Sequence, residues 1–129
     1  MELKVGDYVR TRDGKIGKIA NILLNEENQL YSKFYVDIKD YEGSKFDIDD
    51  LECEPSPSII DLLKKKDILI DYKGNIYQVV KVWNNYVFTD KKNEYGQIIT
   101  LVDYQIKSIL THEQFEAMKY VVGDTNVKD

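Results

Sequence analysis

Four carboxylate side chains lie close together in the sequence: Asp47, Asp49, Asp50 and Glu52. Carboxylates can bind Ca²⁺, but an EF-hand loop also needs glycine at its sixth position and glutamate at its twelfth. Counted from Asp47, those positions hold Glu52 and Ser58, so no calcium loop is predicted. The simplest interpretation is a solvated acidic loop. The functional alternative is a surface that imitates nucleic-acid phosphates or meets a basic partner.

Nucleophilic chemistry is no better supported by the residue types. His112 is the only histidine, and Cys53 is the only cysteine. Cys53 lies between Glu52 and Glu54, whose negative charges disfavour the reactive thiolate. No nucleophile, base and orienting group stand in a recognisable pattern. We therefore expect no enzyme activity, no catalytic residue, no cofactor and no metal.

Aromatic residues are the more promising group. The chain contains ten tyrosines, four phenylalanines and one tryptophan. Trp83 and Tyr86 flank a predicted turn at Asn84 and Asn85, where neither side chain is easily buried. Tyrosine and tryptophan favour interfaces because they combine apolar area with a polar group. Core packing is the simpler interpretation of any single aromatic residue, but these two join the four acids as candidates for partner binding.

The charge of the chain is unevenly distributed. The net charge of the 129 residues is −5. Residues 1–57 contain 13 acidic and 8 basic residues, whereas residues 58–129 contain 10 of each. The excess of acids lies in residues 37–54. Since phosphate neutralisation dominates binding to nucleic acids, the first half does not suit a nucleic acid, whereas the second half permits one.

The same composition limits the setting of the protein. A single cysteine leaves no disulfide framework and no cysteine-based zinc site, which fits a reducing, intracellular environment. No N-terminal secretion signal is visible, and no apolar run approaches the roughly 20 residues that span a bilayer. We expect a globular protein in the cytoplasm of a host cell, with no membrane contact.

The elements that must position these residues begin with a β-hairpin in residues 5–22. Two apolar-alternating runs lie on either side of a turn in which Gly14 supplies the positive φ. A third strand is predicted in residues 30–38, a turn around Gly43, and a short strand ending in a helical turn in residues 46–51.

Pro55 and Pro57 lack ladder donors and favour extended conformations before them. We therefore place a domain boundary there, between a first unit of residues 1–57 and a second of residues 58–129. The second unit begins with a predicted short helix, which Ser58 and Asp61 cap, and in which Ile59, Ile60 and Leu63 pack between the units.

The second unit resembles the first at a spacing of 60 residues. Residues 66–82 align with residues 6–22, which places Asp67 on Asp7 and Gly74 on Gly14. Three identities in 17 positions are few, but the shared turn position and apolar pattern indicate a structural repeat. Further strands are predicted in three places: residues 86–89, 97–103 and 106–110.

A final helix is predicted to begin after Thr111. Thr111 and Gln114 form a capping box, and Leu110 and Phe115 occupy the positions of a hydrophobic staple. The spacing predicts that one face docks on the barrel and that Gly123 ends the helix; the residues of that face are Phe115, Met118 and Val122.

The chain has an opening V-G-D-Y-V, a D-G turn, an I-G-K-I return strand and a later F-x-I-x-D-L. Together these motifs resemble the small SH3-like barrels, including KOW-type five-stranded units. The matching residues are 5–19 and 46–51. The whole chain is similar to small, mostly uncharacterised proteins of phages and prophages of low-GC Gram-positive bacteria. The resemblance implies a mainly β fold of two tandem SH3-like barrel units, a short linker helix and a C-terminal α-helix, and it implies no catalytic residues.

These observations lead to a non-enzymatic binding protein, phage-encoded, that occupies a protein partner's surface. The acidic segment makes inhibition of a host nucleic-acid-handling defence complex, an anti-CRISPR-like activity, a specific hypothesis. One alternative is nucleic-acid binding by the second unit through exposed aromatic residues and the lysines Lys64, Lys65, Lys66, Lys73 and Lys81. Another is a phage virion or assembly component, which self-association would indicate.

Overall fold

The structure is a computed structural model that describes residues 3–24, 31–38 and 41–122. It contains two antiparallel sheets. The first has the strand order β1-β2-β3-β4: β1 is Tyr8–Arg10, β2 Ile16–Leu24, β3 Tyr31–Ile38 and β4 Tyr41–Asp47. The second has the order β8-β7-β6-β5-β9: β5 is Ile68–Asp71, β6 Ile76–Trp83, β7 Tyr86–Lys92, β8 Ile98–Leu101 and β9 Ile106–Leu110.

Within the described ranges, four short helical segments accompany these sheets. Three are 3₁₀ helices, Ile48–Asp50, Ile59–Leu62 and Asp103–Gln105, and the fourth is the α-helix α1, His112–Met118. The expectation of a mainly β chain with a C-terminal helix is therefore confirmed. Closed barrels are not seen, since over the described residues both sheets are open, with β1 and β4 at the edges of the first and β8 and β9 at those of the second.

The predicted alignment at a spacing of 60 residues is confirmed by the backbone. Val9 lies opposite Gly17 in β1–β2, as Leu69 lies opposite Tyr77 in β5–β6. The same hydrogen bonds recur: the amide of residue 19 donates to the carbonyl of residue 7 at 2.9 Å, and that of residue 79 to residue 67 at 2.8 Å. The sequence retains this pattern through turn glycines and alternating apolar residues, with little identity elsewhere.

Each sheet has its own apolar core. In the first, Val9, Ile19 and Leu51 are buried. In the second, the buried residues are Ile60, Leu63, Leu69, Tyr77, Val79, Val87 and Leu101. Ile60 and Leu63 come from the segment that joins the sheets and belong to the core of the second sheet, while the carbonyl of Leu62 in the same segment accepts from Arg10 of the first sheet.

The linker helix differs from its prediction in type and capping. It is a 3₁₀ helix, and the Ser58 side chain makes no capping hydrogen bond. Instead the Ser56 hydroxyl donates to Asp61 at 2.6 Å and accepts from the amide of Ser58 at 3.1 Å. The Ser56 hydroxyl thus links the backbone amide of Ser58 to the carboxylate of Asp61.

Three further local predictions were wrong. Gly43 lies inside strand β4, not in a turn. Helix α1 ends at Met118, before Gly123, which lies outside the described residues, and its expected docking face is exposed, with Phe115, Met118 and Val122 at 40%, 76% and 85% exposure. The capping box of Thr111 and Gln114 is confirmed.

The two units are joined by a buried cation from the first sheet. Arg10 has no exposed surface, and its guanidinium donates to the carboxylate of Asp67, to the carbonyl of Leu62 at 2.9 Å and to Glu113 at 2.5 Å. The Thr111 hydroxyl also donates to the carbonyl of Gly14 at 2.8 Å. Helix α1 therefore contacts the first unit through its polar N-terminal turn. We call Arg10, Asp67 and Glu113 the clasp.

None of the helices in the described parts of the chain has the length and apolarity needed to cross a membrane.

Candidate interaction surface

Trp83 and Tyr86 are held next to each other by a tight hairpin turn. Asn84 and Asn85 both have positive φ, 54° and 66°, which is the geometry of a two-residue turn that matches the twist of its strands. Trp83 and Tyr86 are consequently direct cross-strand partners at the ends of β6 and β7. Their side chains are 68% and 47% exposed. The structure thus brings together these two residues, which the sequence predicted as partner-binding candidates.

The next pair along the same hairpin extends this surface. Lys81 lies opposite Phe88, and its ammonium nitrogen is 4.8 Å from the centre of the Phe88 ring. Because alternate residues of a strand share a face, Lys81 and Phe88 lie on the side of Trp83 and Tyr86. Val87, on the opposite side, is buried in the core. We call Lys81, Trp83, Tyr86 and Phe88 the hairpin face.

The hairpin face combines three aromatic side chains with one cation on a hydrogen-bonded support. Aromatic rings provide large contact areas at low conformational cost, which is why they dominate the energetics of interfaces. A lysine above a ring is attracted by the ring's quadrupole and stays available to an acidic group of a ligand. The arrangement can bind a partner by stacking and burial, and none of these four groups is poised for bond-making chemistry.

Asp47 and Asp50 are both engaged in local structure. The amide of Asp49 donates to Asp47 at 3.3 Å, and the amide of Asp47 donates to Asp50 at 2.8 Å, so the two carboxylates cap the 3₁₀ helix Ile48–Asp50. Glu52 forms an ion pair with Lys64 at 3.1 Å. Asp49 is exposed, and its backbone carbonyl accepts from the Arg12 side chain at 2.9 Å.

The acidic residues therefore lie together beside the first sheet, whereas Trp83 and Tyr86 lie on the second. Over the described residues, no three histidine, cysteine, aspartate or glutamate side chains are grouped so that they could hold a metal ion. Of the other acids in residues 37–54, Asp40 lies outside the described residues.

Cys53 and His112 are both partly buried. Burial raises the pKa of the Cys53 thiol, and Glu52 and Asp61 add to this effect against the opposing influence of Arg10 and Lys64. The sequence attributed the disfavoured thiolate to the neighbouring acids, whereas burial is the main cause of the raised pKa, and Arg10 and Lys64 lower that pKa more than Glu52 and Asp61 raise it. The backbone amide of His112 donates to Asp67 at 2.9 Å, which places this residue beside the clasp.

One shallow groove adjoins the hairpin, and a second groove adjoins the first. One, of about 580 Å³, is bounded by Asn84, Asn85 and Tyr86 on one side and by Tyr104 on another. The other, of about 620 Å³, lies at the junction of the two units, and its lining includes Tyr8, Tyr104 and the edge strand β9. Tyr104 and its neighbour Asp103 line both grooves, so the two are adjacent.

Sequence reasoning missed Phe88 and Tyr104 as surface residues. The hairpin turn could have identified Phe88, because fixing Asn84 and Asn85 at the turn places residue 88 near residue 81 on the outer side. Tyr104 lies in the 3₁₀ helix Asp103–Gln105, and the sequence pattern predicts no element for Tyr104 and Gln105, between the strands of residues 97–103 and 106–110.

Comparisons with known proteins give no relative on which to base an assignment. No protein-family model, no curated protein and no solved structure matches this chain.

Proposed function

We propose that this protein is a non-enzymatic binding protein that acts by covering part of a partner protein's surface with the hairpin face. The observation that carries the proposal is the paired exposure of Trp83 and Tyr86, at 68% and 47%, on a turn that fixes both of them. Exposed tryptophan is costly in water and is enriched among the residues that contribute most to protein interfaces.

The acidic turn contributes charge to the same proposal. The cap holds Asp47 and Asp50 on a short helix with Asp49 exposed between them. Fixed carboxylates accelerate the approach of a basic partner and make association sensitive to salt. This supports a partner whose own surface is basic, as in a complex that handles nucleic acids, and the inhibition of such a host defence complex is the specific form of the proposal.

We further propose that the two units are SH3-like and that the protein belongs to the phage or prophage setting implied by the resemblance. Supporting the first point, the order β8-β7-β6-β5-β9 has its last strand beside its first, and the 3₁₀ helix Asp103–Gln105 precedes that last strand. In the first unit, Ser56 pairs with Tyr8 after the 3₁₀ helix Ile48–Asp50, which is the corresponding arrangement.

The test is affinity capture from lysate of a low-GC Gram-positive host, with wild type compared with Trp83→Ala and Tyr86→Ala. Tyr95→Ala is the matched control, since Tyr95 is 79% exposed and lies outside the hairpin face. We expect wild type and the control to retain one dominant basic protein, which elutes at high salt. Trp83→Ala should bind this protein at least about tenfold more weakly. Equal retention by Trp83→Ala and wild type would refute the role of the hairpin face.

Asp49→Lys gives a separate test of the acidic turn. The Asp49 side chain is exposed, so reversal of its charge tests attraction while Asp47 and Asp50 still cap the helix. We expect a slower association rate with a nearly unchanged dissociation rate. An unchanged association rate at low salt would remove the acidic turn from the proposal.

A second candidate is single-stranded nucleic acid, which the position of Lys81 above Phe88 favours. Bases stack on aromatic side chains while cations meet the phosphates. Trp83 is the only tryptophan, so its fluorescence reports directly on this surface. Quenching by oligo-dT at low salt, abolished by Phe88→Ala, would favour this candidate over a protein partner.

A further inference from the structure

The groove beside the hairpin and the groove at the junction of the two units meet at Asp103 and Tyr104, and we call the two together the path. The first runs from Asn85 and Tyr86 to Tyr104, and the second continues from Tyr104 to Tyr8 and strand β9. Tyr104 is 78% exposed and is common to both. The path therefore begins at the hairpin face and ends at the junction between the two units.

The far end of this path is bordered by an open sheet edge. Strand β9 pairs with β5 on one side, and over the described residues no strand pairs with its other side. The backbone groups of Asp67 and Asp71 face β6, because the amide of residue 79 donates to the carbonyl of Asp67 and the amide of Asp71 donates to the carbonyl of residue 75. Successive residues of a strand direct their backbone groups to opposite sides, so those of Ile68 and Ile70 face β9. Their partners are Leu110 and Ser108. The intervening residue, Ile109, consequently directs its N–H and C=O away from β5, along the groove that it lines.

The charges of the path favour a peptide over a nucleic acid. Asp103 lies where the two grooves meet, and a carboxylate there repels a phosphate backbone. At the β9 end, Lys107 lines the groove, and the Lys18 nitrogen lies 5.0 Å from the centre of the Tyr8 ring. These two cations complement an acidic side chain at that end.

We propose that the path binds an extended peptide segment of a partner protein, which adds to the open edge of β9 and places an acidic residue at Lys107 and Lys18. Apolar residues of the segment contact Tyr104 and Tyr8, and the N–H and C=O of Ile109 pair with its backbone, as in strand addition to a sheet edge. This inference rests on the proposed function, because it takes the same partner to reach the hairpin face.

The test uses a random 12-residue peptide library, selected against the full chain, with enriched peptides synthesised and their affinities measured by fluorescence anisotropy. We expect the enriched peptides to contain apolar residues and an acidic residue, and to bind in an extended conformation. Tyr104→Ala should weaken binding about tenfold or more, whereas Tyr95→Ala, with 79% exposure, should leave it unchanged.

The backbone pairing has its own matched pair of variants. Ile109→Pro removes the outward N–H, whereas Ile109→Ala removes a similar amount of side chain and keeps it. Circular dichroism checks that both variants fold, and a folded Lys107→Glu variant tests the acidic residue independently of the edge. We expect Ile109→Pro to bind at least about tenfold more weakly than Ile109→Ala.

The outcomes separate this inference from the proposed function. Loss of peptide binding with Tyr104→Ala and Lys107→Glu supports it. Loss with Trp83→Ala alone overturns the path and leaves the hairpin face in place. No enrichment of any peptide, or binding that no path variant weakens, overturns it as well, and binding of oligo-dT with the same dependence on Tyr104 would assign the path to nucleic acid instead.

Discussion

At the scale of single residues, Arg10 is the side chain on which the two units depend. Burial alone would lower the pKa of Arg10, but the hydrogen bonds and charges of Asp67 and Glu113 outweigh it and raise that pKa above its ordinary value. Asp67 in turn accepts from the amides of Lys64 at 2.7 Å and His112 at 2.9 Å. The Nε atom of Arg10 has no hydrogen-bond partner among the described residues, so the cation is held entirely through its two terminal nitrogens.

Removing one member of the buried pair of Arg10 and Asp67 should strongly destabilise the fold. Asp67→Ala leaves Arg10 with the partly exposed Glu113 as its remaining anion, and we expect a loss of about 3 to 5 kcal/mol in the free energy of unfolding in urea. Glu116→Ala is the control, because Glu116 and Lys119 form a surface pair, and it should change stability by less than about 1 kcal/mol. A loss with Asp67→Ala as small as that of the control would show that the clasp does not stabilise the fold.

Asp71 should make stability depend on pH in the acid range. Although burial alone would raise its pKa, hydrogen bonds from Asn75, Tyr77 and the amide of Lys73 lower the pKa of Asp71 to about 2 from 3.8. A carboxyl whose pKa is lower in the folded state stabilises the protein above its unfolded pKa, and that contribution is lost as pH falls through the folded value. We expect the stability of wild type to fall between pH 4 and pH 2 more steeply than that of Asp71→Asn, measured by urea unfolding. Parallel curves for the two proteins would contradict the assignment, as would an NMR titration that places the Asp71 carboxyl near its ordinary pKa.

At the scale of elements, the Asn84–Asn85 turn and the cap of α1 were predictable, whereas the contacts between elements were not. The hairpin at Asn84 and Asn85 and the capping box of Thr111 depend on neighbouring residues, so the sequence pattern contains the information. The clasp joins Arg10 to Asp67 across 57 positions and to Glu113 across 103. Arginine in a short strand gives no local sign of burial, so its partners could not be identified.

The residues of the candidate site were also predictable only in part. Trp83 and Tyr86 were predictable because the turn between them is local. The sequence did not reveal that Asp47 and Asp50 cap a helical turn, because a run of acids looks the same whether its carboxylates face solvent or accept from nearby backbone amides. The docking of α1 was predicted wrongly for a related reason: apolar spacing indicated a packed face, but polar contacts at Thr111 and Glu113 hold the helix.

Gly14 and Gly74 offer a matched test of the contact between the first turn and α1. They occupy equivalent positions in the two units, with φ of +91° and +85°. A Cβ at Gly74 meets nothing within 4 Å, whereas one at Gly14 collides with the Thr111 hydroxyl and lies 2.9 Å from the Cβ of Glu113. Gly74→Ala should therefore cost about 1 to 2 kcal/mol for backbone strain alone.

Gly14→Ala should cost that amount and about 1 to 3 kcal/mol more, because α1 must shift. Thermal and urea unfolding of the two variants measure the difference. Equal losses would mean that α1 does not press on this turn.

At the scale of the whole molecule, each unit is completed by a segment that follows the sheet of the other unit in the chain. The linker gives Ile60 and Leu63 to the second core, and α1 returns Thr111 and Glu113 to the first unit. Units of about 60 residues are marginal alone because they bury a small share of their surface. The clasp therefore makes the stability of each unit depend on the other, and it fixes the two walls of the groove at their junction.

Cooperativity between the units can be measured with two equivalent amides. Those of Ile19 and Val79 form the same hydrogen bond in the two units, and both side chains are 1% exposed. If the clasp couples the units, both amides exchange only through global unfolding, and native-state hydrogen exchange should give them the same free energy of opening. In the double variant Arg10→Met/Asp67→Asn, which removes the pair without leaving a buried charge alone, the two units should open separately, so the values for Ile19 and Val79 should differ. Opening energies in wild type that already differ by more than about 1 kcal/mol would show instead that the units open independently, and the junction groove would then exist only while both units happen to be closed.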